Sequence, residues 1–164
     1  MENPTEYYNK FKLISIPLVP KQKYPYMKEW QKITKSKDLR PGDNIGIITG
    51  KVNNIIVIDV DKADDGLKIW KKWLKEYGDI NTPIVKTGSC GYHYYFKYDK
   101  DLKSSIKIIV DGKRVGIDIK SDGGQVVSPV SVHPNGKKYK WIKTLDDYKI
   151  KKIPSWLKKK ILEK

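Results

Sequence analysis

Three aspartates, Asp59, Asp61 and Asp118, are the residues best suited to chemistry. Asp59 and Asp61 stand two apart at the end of the apolar run IIVIDV, and side chains two apart on a strand share a face. Two like charges held that close demand a cation. Hard oxygen donors suit Mg²⁺ or Mn²⁺, and an acid pair that bridges two such ions is the usual protein contribution to two-metal phosphoryl chemistry. An isolated D-x-D, by contrast, more often opens a loop and caps the next helix. Asp118, inside GIDIK, adds a third acid. Ile117 and Ile119 face one side of a strand, so Asp118 faces the other, where an unpaired carboxylate is expensive. It needs a metal, a cation or water, and a surface salt bridge to Arg114 or Lys120 would also serve. If its strand lies beside that of Asp59, the three acids converge on one sheet face.

Between the acids lies KTGSCGYHYYF. Gly88, Ser89, Cys90 and Gly91 form a tight turn whose N–H groups and hydroxyls suit phosphate oxygens, and His93 follows on a strand. A lone strand histidine is more often structural, but one placed after a Gly/Ser turn and between acidic strands can donate to a triphosphate. The segment GGQVVSPVSVHPNGKKY repeats the ingredients with Ser131, His133 and Lys137 or Lys138 around turn residues, although an ordinary polar hairpin has the same composition.

These residues need strands and a helix to place them. The run Phe11 to Val19 reads as a first strand ended by Pro20. Asn44 to Thr49 and Ile55 to Val60, joined by the turn-prone GKVNN, read as a hairpin. Leu67, Trp70, Trp73, Leu74 and Tyr77 recur at helical spacing between a cap at Asp64 and a stop at Gly78, which predicts an amphipathic helix over 65–77 with its aromatic stripe in the core. Short β-rich runs follow at Ile84 to Lys86, Tyr92 to Tyr98, Ile106 to Val110, Val115 to Lys120, Gln125 to Val127 and Lys138 to Trp141. Pro154 opens a last basic helix with Trp156, Leu157 and Ile161 on its apolar side. The division expected is a catalytic domain over 1–148 and a basic C-terminal helix or linker over 149–164, leading toward a possible downstream domain.

Composition narrows the partners. The 164 residues suit one domain with one core. No apolar run approaches the roughly 20 residues of a spanning helix, and the first residues lack a signal-peptide apolar segment. A single cysteine, Cys90, excludes an internal disulfide framework and a multi-cysteine zinc site, so an intracellular location is the default. Lysine and arginine outnumber aspartate and glutamate 34 to 19, for a net charge of +15, a field that attracts polyanions. A general lysine bias has the same effect on the total. In KQKYPYMKEW, Lys23, Tyr24, Tyr26 and Trp30 interleave cations with aromatics, as suits single-stranded nucleic acid, although a tryptophan such as Trp30 more often closes the core.

Taken in order, NIGIITG, IIVIDVD, TGSCGYHYYF and GIDIKSDGGQVVSPVSVHPNGKKYKW resemble the primase-polymerase domain of the archaeo-eukaryotic primase superfamily. That family carries an acidic pair one residue apart, then a small residue, any residue and histidine, then a hydrophobic residue and aspartate. These fall on Asp59 and Asp61, on Gly91 to His93, and on Ile117 and Asp118, within a resemblance running from about Lys23 to Trp141. The resemblance implies an α/β (α+β) catalytic core, with a sheet like an RNA-recognition fold and a second small α/β unit. It implies two Mg²⁺ or Mn²⁺ ions on the three acids, and a triphosphate bound by Ser89 and His93 with Thr87 and Lys120 as neighbours. The activity expected is DNA primase or polymerase synthesis from nucleoside triphosphates on a single-stranded DNA template, with a fused or associated helicase or accessory domain as a further partner. Two rivals stand beside it: a non-catalytic module that stacks single strands, and a two-metal nuclease.

Overall fold

The structure, a computed structural model, describes residues 2–164. In chain order its elements are α1 (Pro4–Lys10), β1 (Ser15–Leu18), β2 (Asn44–Ile48), β3 (Ile55–Val60), α2 (Gly66–Tyr77), β4 (Ile84–Lys86), β5 (Tyr92–Lys97), β6 (Ile109–Val110), β7 (Lys113–Arg114), β8 (Ile117–Lys120), β9 (Gln125–Ser128), β10 (Lys140–Lys143) and α3 (Ser155–Leu162). The mixed α+β class expected from the sequence is the one observed. Two antiparallel sheets organise it, a three-stranded one in the order β1-β2-β9 and a five-stranded one in the order β10-β4-β5-β3-β8.

Strand parity divides the five-stranded sheet into two faces. Ile56, Ile58 and Val60 of β3, Tyr94 and Phe96 of β5, and Ile117 and Ile119 of β8 pack against Trp70 and Trp73 of α2 and Leu157 and Ile161 of α3. Ile55 and Val57 of β3, Tyr95 of β5 and Val85 of β4 point the other way. They pack on Ile16, Leu18, Ile45, Ile47, Val126 and Val127 of the smaller sheet and on Tyr8 of α1. Two cores therefore sandwich one sheet. The aromatic stripe of α2 is core, as its spacing predicts, with the Trp70 ring 4.8 Å from that of Tyr94. Helix α3 also joins the fold: Leu157 is fully buried, and Trp156 stacks on Tyr77 with centroids 4.6 Å apart.

Several local expectations are corrected. The predicted hairpin does not form. β2 and β3 enter different sheets because Gly50, at φ 100°, and the 3₁₀ turn Lys51–Asn53 turn the chain out of one sheet and into the other, leaving only a Gly50–Ile55 bridge. The first strand starts at Ser15 rather than Phe11, since Phe11 caps α1 and Lys12 takes a left-handed conformation. That helix, with Asn3 accepting from the Glu6 N–H at its start, was not visible as an apolar periodicity. Asp64 does not cap α2; Asp65 occupies that position without a side-chain bond, and Asp64 pairs with Lys107 at 2.7 Å. Ile106 to Lys107 is not strand, because Lys107 has φ 53°.

Candidate active site

The register of β3 assembles the site. Asp59 lies directly opposite His93 of β5 on one side and directly opposite Asp118 of β8 on the other, so the three form one row across the sheet. The row continues the face of Val57 and Tyr95, at the end where the smaller sheet stops covering it. Asp61 follows two residues beyond Asp59, just past the strand. Directly opposed residues on antiparallel strands have Cβ atoms about 4.5–5.5 Å apart, and like charges there repel. Asp59 and Asp118 are such a pair.

A histidine and a lysine of the chain meet those charges. His93 Nε2 lies 3.4 Å from Asp59 Oδ1, and the Lys120 ammonium lies 3.7 Å from Asp118 Oδ2. Burial pushes the Asp59 carboxyl up, but His93, Lys120 and Lys23 together more than offset this and hold it below the ordinary carboxylate value. Asp118 Oδ1 accepts the Lys107 N–H at 2.7 Å, and Asp61 Oδ1 accepts the Ala63 N–H at 3.3 Å. Among the described residues no three His, Cys, Asp or Glu side chains are gathered closely enough to hold an ion. Asp59 and Asp118 share the row and Asp61 lies beyond it, with Asp59 turned to His93 and Asp118 turned to Lys107 and Lys120. By type the three carboxylates are the hard oxygen donors a divalent ion takes, but only Asp59 and Asp61 line the cleft, and Asp118 reaches the row from β8 without lining it.

The Gly/Ser turn sits beside the row. Thr87 N–H donates to Gly91 O, while Cys90 N–H donates to Thr87 O and Gly91 N–H to Thr87 Oγ1. The N–H groups of Gly88 and Ser89 have no hydrogen-bond partner among the described residues. Two glycines are needed here for space. A Cβ on Gly91 would run into Val60 O, and one on Gly88 into the His133 side chain. Gly88 also accepts Asn135 Nδ2 at 2.9 Å, so the turn and the His133 loop, separate in sequence, form one wall. Lys23, Asp59, Asp61, Thr87, Ser89, His93, Lys120, Gln125 and Tyr139 line a cleft of about 160 Å³ between the sheets.

The family model for the N-terminal domain of bifunctional DNA primase/polymerases matches residues 5–156. The chain belongs to this Prim-Pol family. No match emerges among curated proteins. At family level, Prim-Pol membership carries nucleotidyl transfer of the primase/polymerase type. No helix is long and apolar enough to cross a membrane.

Not every expected residue of this Prim-Pol domain reaches the cleft. The Ser131 hydroxyl is buried and bonded to both backbone groups of Ile45, accepting from its N–H at 2.9 Å and donating to its carbonyl at 3.2 Å, which leaves it structural. Lys138 stands on the outer side of the turn, with Lys86, Lys137 and Lys140 in a neighbouring groove. Among the aromatics of the loop after β1, Trp30 packs against the inter-sheet core and the Tyr26 ring lies 3.8 Å under the Arg40 guanidinium. Tyr24 is 57% exposed. Lys23, expected on a nucleic-acid surface, instead lines the cleft.

Tyr139 was missed. Its ring lines the cleft and lies 6.3 Å from that of His93 and 6.0 Å from that of His133, between the two histidines. Burial, with Asp59 second, pushes its hydroxyl well above the ordinary tyrosine value. An aromatic immediately after the HPNGKK turn was the available signal. Gln125, placed by the pairing of β9 with β2, had none.

Proposed function

We propose that this Prim-Pol chain performs template-directed nucleotidyl transfer at the Asp59–His93–Asp118 row, making or extending primers on single-stranded DNA. The observation that carries the reading is the register, in which one strand position, Asp59, directly faces both His93 and Asp118 beside a cleft that Asp59, His93, Thr87 and Ser89 line. Asp59, Asp61 and Asp118 would hold two Mg²⁺ or Mn²⁺ ions. When bound, such ions supply Lewis-acid activation of a strand 3′-hydroxyl and neutralise the charge of departing pyrophosphate.

The remaining work falls to the chain's own groups. The free N–H groups of Gly88 and Ser89, the Ser89 hydroxyl and His93 bind and orient the polyphosphate, and Thr87 holds the turn closed. Lys120 balances charge at Asp118. In-line geometry then depends on holding the α-phosphate over the acid row, which is a positioning task. Template contacts fall on exposed Tyr24 and on the groove of Lys86, Lys137, Lys138 and Lys140, where the lysines have no acid partner among the described residues.

The test is incubation of the purified chain with labelled nucleotides and Mg²⁺ or Mn²⁺ on single-stranded DNA, with and without an annealed primer. Short products without primer establish initiation, and products only with primer establish extension. Strand shortening without incorporation contradicts the proposal in favour of a nuclease.

A further inference from the structure

Lys23 is held in place more firmly than an exposed lysine on a 25-residue connection would be expected to be. The turn that carries it closes through Val19 N–H to Tyr24 O at 3.0 Å, Gln22 N–H to Val19 O at 2.9 Å, and a Leu18–Pro25 bridge. Two side chains from the smaller sheet then grip its backbone. Asn44 Nδ2 donates to Gln22 O at 2.9 Å, and Gln125 Nε2 donates to Lys23 O at 2.8 Å.

Asn44 is 3% exposed and also exchanges bonds with both backbone groups of Val132, at 2.7 and 2.9 Å. One buried amide thus fixes the Lys23 turn and the His133 loop relative to each other. Gln125 is wedged as well, since its Oε1 lies where a Cβ on Gly46 would go. The ammonium has no carboxylate partner within ion-pair distance among the described residues, and Lys23 lines the cleft together with Asp59 and His93. A cation without a carboxylate partner, lining the cleft on a backbone held by the buried Asn44 and by Gln125, is placed to meet an anion that arrives from solution.

We propose that Lys23 is a polyphosphate-binding residue of the incoming nucleotide, closing the cleft from the smaller sheet opposite the Thr87–Gly91 turn, with Asn44 and Gln125 as its positioning residues. The inference rests on the nucleotidyltransferase reading of the cleft. It divides the phosphate site between the two sides of the cleft: the turn donors and the acid-paired Lys120 on the five-stranded sheet, and a positive charge without an acid partner on the other side. It also makes Lys23 the group that separates a nucleoside triphosphate from a nucleoside monophosphate, because added phosphates add charge for it to meet.

Isothermal titration of the full chain with dATP and with dAMP, in Ca²⁺ to block turnover, tests this beside a titration with a single-stranded dT oligonucleotide. Lys23→Ala should weaken dATP about tenfold or more, as loss of a charged contact does, while dAMP and oligonucleotide affinities barely move. Lys23→Arg should restore most of the dATP affinity. Gln125→Ala, which frees the backbone without removing the charge, should fall between wild type and Lys23→Ala. Wild-type dATP affinity in a Lys23→Ala protein of unchanged melting temperature overturns the inference alone. Loss of oligonucleotide affinity with dATP intact also overturns it, returning Lys23 to a strand-binding surface. A wild-type chain that binds no dATP overturns the nucleotidyltransferase reading and the inference with it.

Discussion

On the face of the five-stranded sheet covered by α2 and α3, successive inward positions of β3 are Ile56, Ile58 and Val60, all buried and apolar to the end of the strand. On the opposite face the same strand begins alike, with Ile55 and Val57, and then places Asp59 where the small sheet ends, with Asp61 beyond. The neighbours repeat the change: Tyr95 gives way to His93 on β5, while β8 offers Asp118 and Lys120. One face is a support and the other is half support, half site. Because the two faces interleave residue by residue, the rigidity of the apolar face fixes the spacing of the acids.

That contrast can be broken most forcefully at Trp70. Trp70→Ala removes a fully buried ring from the supporting face and should cost about 3–5 kcal/mol of stability, read as a lowered denaturant midpoint, with activity lost only as folding is lost. On the site face the expected effects are smaller in stability and specific in binding. His93→Ala should weaken nucleotide affinity by about 1.5–3 kcal/mol, or roughly ten- to a hundredfold, and leave template affinity and melting temperature near wild type. A joint fall of melting temperature, nucleotide and DNA binding would move His93 to the supporting class. Gly88→Ala sharpens the same boundary. The added methyl meets His133, so the wall must part at a strain of about 1–3 kcal/mol, seen as lost nucleotide affinity with DNA affinity retained.

Two weaker effects report on charge. DNA affinity should fall steeply with salt as lysine contacts release counterions, and Lys86→Ala or Lys138→Ala should each lower the log–log slope by about one. His133 should leave a small trace in stability against pH. Burial first, then the Lys23 charge, hold its pKa below the ordinary histidine value. The unfolded chain therefore binds the proton more readily. This histidine's contribution is present above an unfolded pKa of about 6.5 and declines as pH falls below it. Comparing melting temperature against pH for wild type and His133→Ala should show a shallower decline in the variant.

Much of the candidate site's geometry was legible because its logic is local. Asp59 and Asp61 two apart, Asp118 between isoleucines, and the glycines before His93 follow from strand alternation and turn chemistry alone, and helix α2 follows from its aromatic spacing. Partnering was not local. Nothing in NIGIITGKVNNIIVIDV states that its two strands enter different sheets, and Asn44 looks like an ordinary strand-end polar residue until it bridges Gln22 and Val132. Ser131 resembled a ligand because its hydroxyl was counted without the Ile45 backbone that occupies it. Lys23 was read by its aromatic neighbours, whereas the turn closing on Val19 swings it into the cleft.

If strands are made at the Asp59–His93–Asp118 row, synthesis must depend on the Asp59 charge. Strand synthesis on a primed template by wild type and by Asp59→Asn, which keeps the shape and removes the charge, tests it most directly. Asp59→Asn should keep the wild-type melting temperature and lose at least about a hundredfold in incorporation, the scale expected when one preorganised electrostatic group is removed. Wild-type incorporation by a folded Asp59→Asn protein would contradict that dependence.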